Sequence, residues 1–164
     1  GDSQVSRSID SIRNKIIMKK LCYKLEASLD TNGYLTINTT YCIQPIESDI
    51  DIKYILAILN SKLMSFYARK EYLSTALRGG YIELRVYQVQ TLPITRIPLK
   101  EQQLIIDLVN KIIKLNVDFQ RIPANSNKWN SVKEKIEKTD KKIDEEVYKL
   151  YGLTNEEIEI VEKN

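Results

Sequence analysis

The residues of this chain that chemistry could use are few, and most fail on type or spacing. There is no histidine, which removes the ordinary Ser-His-Asp and Cys-His centres and the His-metal nucleases. Two cysteines, Cys22 and Cys42, are too few for a thiolate zinc site and sit in strand-like stretches, where a free thiol behaves as a small core residue. Asp30 with Asp51-Ile52-Lys53, and Asp118 with Asp140-Lys141-Lys142, loosely match the Asp…Asp/Glu-x-Lys spacing that holds Mg²⁺ beside a lysine. Both triplets fall in predicted helices, where residues two apart diverge by about 200°, so carboxylate and lysine would point away from each other. Solvated helix charge is the better reading, and no metal is expected. Cofactor loops are missing too. Gly79-Gly80 is the only glycine pair, and neither a Walker-type loop, a Gly-x-Gly, nor a Pro-Pro occurs.

What remains is a pattern suited to binding. Ten tyrosines stand against two phenylalanines, and several lie beside basic residues: Tyr23-Lys24, Tyr67 to Arg69, Arg78 to Tyr81 and Arg85 to Tyr87. Such interleaving suits stacking and phosphate contact, and equally an ordinary strand surface. The net charge of +3 is unevenly placed: residues 1–80 hold 11 basic and 8 acidic side chains, residues 81–164 hold 14 of each. Arg7, Arg13, Lys15, Lys19, Lys20 and Lys24 make the N-terminal third basic, a modest footprint for a polyanion. The acidic groups Asp144-Glu145-Glu146 and Glu156, Glu157 and Glu159 read as solvated faces and helix-capping charge.

The elements that must position these residues are read from periodicity. At 164 residues the chain is one domain in size, with room for an appended helical segment, and can bury about 70% of the surface its unfolded form exposes. Ile16 to Leu25 reads as strand. Asp30-Thr31-Asn32-Gly33 is a turn, and Tyr34 to Ile43 alternates as a half-buried strand. Ile52, Ile55, Leu56, Leu59, Leu63 and Phe66 predict one helix capped by Ser48 or Asp49, with Asn60-Ser61 off its stripe. Tyr81 to Tyr87 reads as a strand with Ile82, Leu84 and Val86 inward. The stripe Leu104, Ile105, Leu108, Ile112, Leu115 and Phe119 makes 100–119 a long helix. A second stripe runs from Trp129 to Leu150, weakened at Thr139 and Asp140. Gly152 is a helix stop, and Thr154 with Glu157 a capping box. The expected architecture is α+β: a small mixed or antiparallel sheet with a packed helix, then a C-terminal long-helix hairpin. Residues 1–98 would be an α/β domain, and 99–164 a helical arm. Apolar runs fall far short of a membrane span, and unpaired thiols point to a reducing cytoplasm.

The helix carrying Leu59-Asn60-Ser61 resembles the target-recognition domain of type II restriction–modification enzymes that fuse DNA methyltransferase and nuclease, and is similar to type I specificity subunits. Four further segments agree in order: Gly33 to Tyr41; Gly79-Gly80-Tyr81-Ile82; Leu92-Pro93-Ile94 with Ile97 to Gln102; and Asp144 to Thr154. Thr95-Arg96 interrupts the usual proline-rich stretch. The resemblance implies a non-catalytic module that reads a short duplex sequence for a methyltransferase or endonuclease domain, on the same chain or a partner. S-adenosylmethionine and Mg²⁺ would belong to those missing catalytic domains, and this chain would be an excised C-terminal domain. Lys19, Lys20 and Lys24 are the candidates for phosphate contact; Asn38, Thr39, Thr40, Arg78 and Arg85 are those for bases. Gly79 and Gly80 would let backbone approach DNA closely. The alternative is a helical docking module without base readout, favoured by the stripe from Trp129 to Leu150.

Overall fold

In the computed structural model, which describes residues 13–72 and 80–164, strand β1 (Lys15–Lys19) is central to the sheet. It pairs antiparallel with β3 (Ala27–Asp30) on one side and β4 (Thr40–Ile43) on the other. Ile16 and Met18 point inward and are fully buried. Between β1 and β3 runs the two-residue β2 (Leu21–Cys22), which leaves that sheet and pairs antiparallel with β5 (Ile82–Glu83). Cys22 and Ile82 face the core, whereas Leu21 and Glu83 face outward.

The turn at 30–33 forms as its residues dictate. The Asp30 carboxylate accepts from the backbone N–H groups of Asn32 (2.8 Å), Gly33 (3.1 Å) and Tyr34 (2.8 Å), while Gly33 supplies φ +80°. Lys15 completes the arrangement. Its ammonium lies 2.9 Å from Asp30 Oδ2 and donates to the Tyr34 carbonyl at 2.7 Å, all out of solvent. Burial pushes the Asp30 carboxyl up, but Lys15 and the three N–H groups outweigh it and hold its pKa below the usual value. Lys15, part of the basic N-terminal third, is therefore unavailable to a partner. The predicted strand from Tyr34 to Ile43 is shorter, Thr40–Ile43: the Tyr34 carbonyl bonds Lys15, and Thr40 N closes a turn on the Ile37 carbonyl at 3.1 Å. Leu35 and Ile37 are left 75% and 73% exposed.

The single helix predicted from Ile52 to Phe66 is two, α1 (Ile52–Asn60) and α2 (Lys62–Glu71). Ser61, in extended conformation, separates them. Its hydroxyl donates to the Ile58 carbonyl (2.7 Å) and accepts from Met64 N (3.1 Å), ending one helix and capping the next. Asp51, rather than Ser48 or Asp49, caps α1 through Lys53 N (2.7 Å). Residues 54–59 are all buried because α1 is enclosed by the sheet, α2 and the long helix at Leu99–Gln120. Asn60 points the other way and docks its amide on the edge strand β3, accepting from Ala27 N (2.8 Å) and donating to Ala27 O (2.9 Å).

Tyr81 to Tyr87 is likewise only part strand. Ile82 and Leu84 are buried as the alternation requires. Arg85 N then donates to the Gln88 side chain (2.8 Å), which turns the chain into the short helix α3 (Val86–Gln90) and leaves Val86 exposed. The connection to α4 (Leu99–Gln120) is held by tyrosines. Tyr54 Oη donates to Thr95 O at 2.7 Å, and Tyr151 Oη bonds Pro93 O. Fully buried Gln102 ties α4 to the turn before α1, accepting from Asp51 N and donating to the Asp49 and Ile97 carbonyls, each at 2.9 Å.

Helices α4 and α5 (Asn127–Leu150) form a hairpin closed by the Phe119–Trp129 ring pair at 5.0 Å. Their inner residues join the core of the sheet and α1. Ile106 and Val109 face inward on α4, whereas Leu104, assigned to the apolar stripe, is half exposed. Thr139, polar in the apolar stripe, is nevertheless buried, its hydroxyl donating to the Lys135 carbonyl at 2.7 Å. Asp144 departs most from its sequence reading. It is buried, not solvated, and its Oδ1 accepts from Lys62 N (2.9 Å) at the start of α2. Gly152 adopts φ +67° at the stop of α5, and the Thr154–Glu157 capping box opens α6 (Asn155–Glu162) as expected.

Candidate nucleic-acid interface

The β2–β5 ribbon is built by one alternation on each strand. With Cys22 and Ile82 inward, Tyr23 and Tyr81 must face outward, and their rings meet edge to face at 6.1 Å. The Arg69 guanidinium, from the last turn of α2, sits over the Tyr23 ring at 4.9 Å. Gly80 enters this ribbon with φ +79°, and a Cβ there would lie 3.1 Å from Tyr23 Cε2. Glycine is required twice over, by the backbone and by the ring. The Cys22 thiol beneath is pushed up to about 11 by burial and does not ionise near neutrality.

The other end of the ribbon gathers several sequence candidates. Lys20 sits between β1 and β2, its ammonium 4.7 Å from the Tyr41 ring centroid. Its backbone N–H donates to Thr39 O (3.0 Å) and its carbonyl accepts from Leu84 N (2.8 Å). Tyr41 Oη donates to Leu84 O at 2.8 Å. Lys20, Thr39, Thr40, Tyr41 and the chain entering Arg85 are therefore joined by backbone contacts. Asn38 and Thr39 form an exposed turn, and Thr40 directs its hydroxyl to the Ile37 carbonyl at 3.1 Å. Arg85 is exposed at the start of α3.

Lys24 is exposed on the connection from β2 to β3. Lys19 is also exposed, but its ammonium pairs with Glu26, whose hydrogen bond and charge raise the lysine pKa. Arg78 and Gly79 lie outside the described residues. The sequence reading did not name Arg69, Tyr41 or Tyr81 as site residues. For Arg69 and Tyr81 the signal is the tyrosine–basic interleaving, which periodicity alone does not assign to a common face; Tyr41, between Thr40 and Cys42, carries none.

No three of His, Cys, Asp or Glu converge to hold a metal among the described residues. Asp30 and Asp51 are both committed to backbone N–H groups. No helix among the described residues is long and apolar enough to cross a membrane. The search of curated proteins gave no match. A family model does match, over residues 3–94, spanning the sheet, the ribbon, α1, α2 and α3. The chain belongs to the family of TaqI-like C-terminal specificity domains.

Proposed function

We propose that this chain reads a short sequence of double-stranded DNA for a restriction–modification enzyme. It would present that DNA to methyltransferase or endonuclease domains on the same or a partner chain, taking no part in the chemistry itself. The observation that carries this reading is the β2–β5 ribbon, with Tyr23, Tyr81 and Arg69 together at one end and Lys20 and Arg85 at the other, all exposed or half exposed. Family membership supports it.

Phosphate contacts set affinity and register, while base edges set sequence. Lys20 and Lys24 suit phosphate, together with Lys19 once Glu26 releases it, since an exposed pair of this kind is worth at most about 1 kcal/mol. Tyrosine hydroxyls on the ribbon add neutral donors. Asn38, Thr39, Thr40, Arg78 and Arg85 are the side chains assigned to bases, with Gly79 and Gly80 beside them. The test is fluorescence anisotropy with pooled random-core duplexes. Selection of one sequence from the pool is the expected result, and Arg85→Ala should cost about 1–3 kcal/mol on that sequence and relax one position. Loss of equal size on selected and scrambled duplexes would remove Arg85 from base reading. Absence of any selection by the unmodified chain would overturn the proposal.

A further inference from the structure

Residues 99–164 carry twelve basic and thirteen acidic side chains, and four of the lysines line one groove. Along one side of the α4–α5 hairpin runs a groove floored by Leu108 and Thr139 and walled by Lys111, Lys135, Lys138 and Lys142. All four lysines are exposed, and no carboxylate lines the groove. Lys133 and Lys149 on the same helix pair with Glu137 and Glu146, but no such ion pair engages the four groove lysines among the described residues. Lys135, Lys138 and Lys142 fall on one stripe of α5; Glu137 and Asp140 lie about 200° and 140° around the helix from Lys135, and Glu146, one turn beyond Lys142 on that stripe, is paired with Lys149. Four exposed ammonium groups lining one groove favour a bound polyanion.

We propose that this groove binds the phosphate backbone of duplex DNA, as a second contact beyond the segment that matches the specificity family. The proposal rests on the DNA-binding reading above and deepens it. Lys135 to Lys142 span about 10 Å of helix at 1.5 Å per residue. That length covers about three rises of 3.4 Å along one strand, enough for each of the three lysines to meet its own phosphate. Aliphatic Leu108 and the internally bonded Thr139 hydroxyl offer no base-reading group, so the contact is sequence-independent.

The test measures binding of the whole chain to selected and scrambled duplexes between about 50 and 200 mM salt. The triple variant Lys135→Gln, Lys138→Gln, Lys142→Gln should lower the log–log salt slope by about 2.7, or 0.9 per lost phosphate contact. Over that fourfold range this makes the variant's salt-induced weakening about 40-fold smaller than that of the unmodified chain. The reduction should be the same on both duplexes, and the corresponding triple Lys→Arg variant should keep the original slope. An unchanged slope, in a variant whose melting temperature shows it folded, would overturn the proposal and leave the groove to an acidic protein surface. Sequence selection is scored separately. If it persists with an unchanged slope, only the groove falls. If it is absent while the slope depends on the lysines, the groove stands and the base-reading proposal falls.

Discussion

Replacing Asp144 by Asn should stabilise this protein at pH 8. Asp144 projects from α5 to the N-terminus of α2, where a carboxylate would ordinarily be welcome. Burial nevertheless dominates. It raises the carboxyl, the Lys62 N–H and charge oppose it, and Asp140 and Glu162 add repulsion, leaving the group up from 3.8 to about 6. A group that holds its proton more tightly when folded favours the folded state in acid. Its contribution is complete below the unfolded value of 3.8 and lost as pH rises through about 6. The shift of roughly two pH units corresponds to about 3 kcal/mol between those limits, an upper figure for the cost of ionised Asp144 at pH 8. Asn keeps the acceptor for Lys62 N and removes the charge.

The expected gain at pH 8 is about 2–3 kcal/mol, or roughly 4–9 °C in melting temperature for a chain of this length. By pH 4.5 the unmodified protein should have recovered about 2 kcal/mol, so the difference shrinks to about 1 or less. Urea denaturation followed by circular dichroism from pH 4.5 to 8 measures both. The lower limit matters because Asp30 acts in the opposite sense, its stabilisation being lost as pH falls below 3.8. An Asp144→Asn protein less stable than the original at pH 8 would refute the reasoning. The carboxylate's attraction to the start of α2 would then outweigh its desolvation.

Three further expectations concern the frame around the site. Gln102→Leu strips partners from Asp51 N and the Asp49 and Ile97 carbonyls, and should cost about 2–4 kcal/mol in urea denaturation. Gly80→Ala forces a left-handed backbone on an L-residue and crowds the Tyr23 ring; a loss of about 1–2 kcal/mol by thermal melting is expected, with weaker DNA binding. Asn60→Ala removes both bonds to Ala27 and should cost about 1–2 kcal/mol, whereas Asn60→Asp, which keeps only the acceptor, should recover part of it.

Local physics wrote much of this structure into the sequence. The turn at Asp30–Gly33, the left-handed stop at Gly152, the capping box at Thr154 and the two long helices each depend on residues within a few positions of one another. The order of sheet, helices and hairpin comes from periodicity, and the motif order identified the family that residues 3–94 match. Where elements end was decided elsewhere. Tyr34–Thr39 alternates like a strand, but the Tyr34 carbonyl bonds Lys15, a turn closes from Thr40 N to Ile37 O, and only Thr40–Ile43 pairs in the ladder. Ser61 splits a continuous apolar stripe because its hydroxyl finds both a carbonyl to bond and a helix to cap. The sign of a residue's role was also a tertiary matter. Lys15 and Asp144 read as solvated charges, yet both are buried, because their partners come from a neighbouring strand and a helix 82 residues distant. The sequence alone supplied the basic and aromatic side chains of the proposed interface. Only packing decided that Tyr23, Tyr81 and Arg69 share a face, since a period-2 alternation orients a strand but does not choose its neighbour.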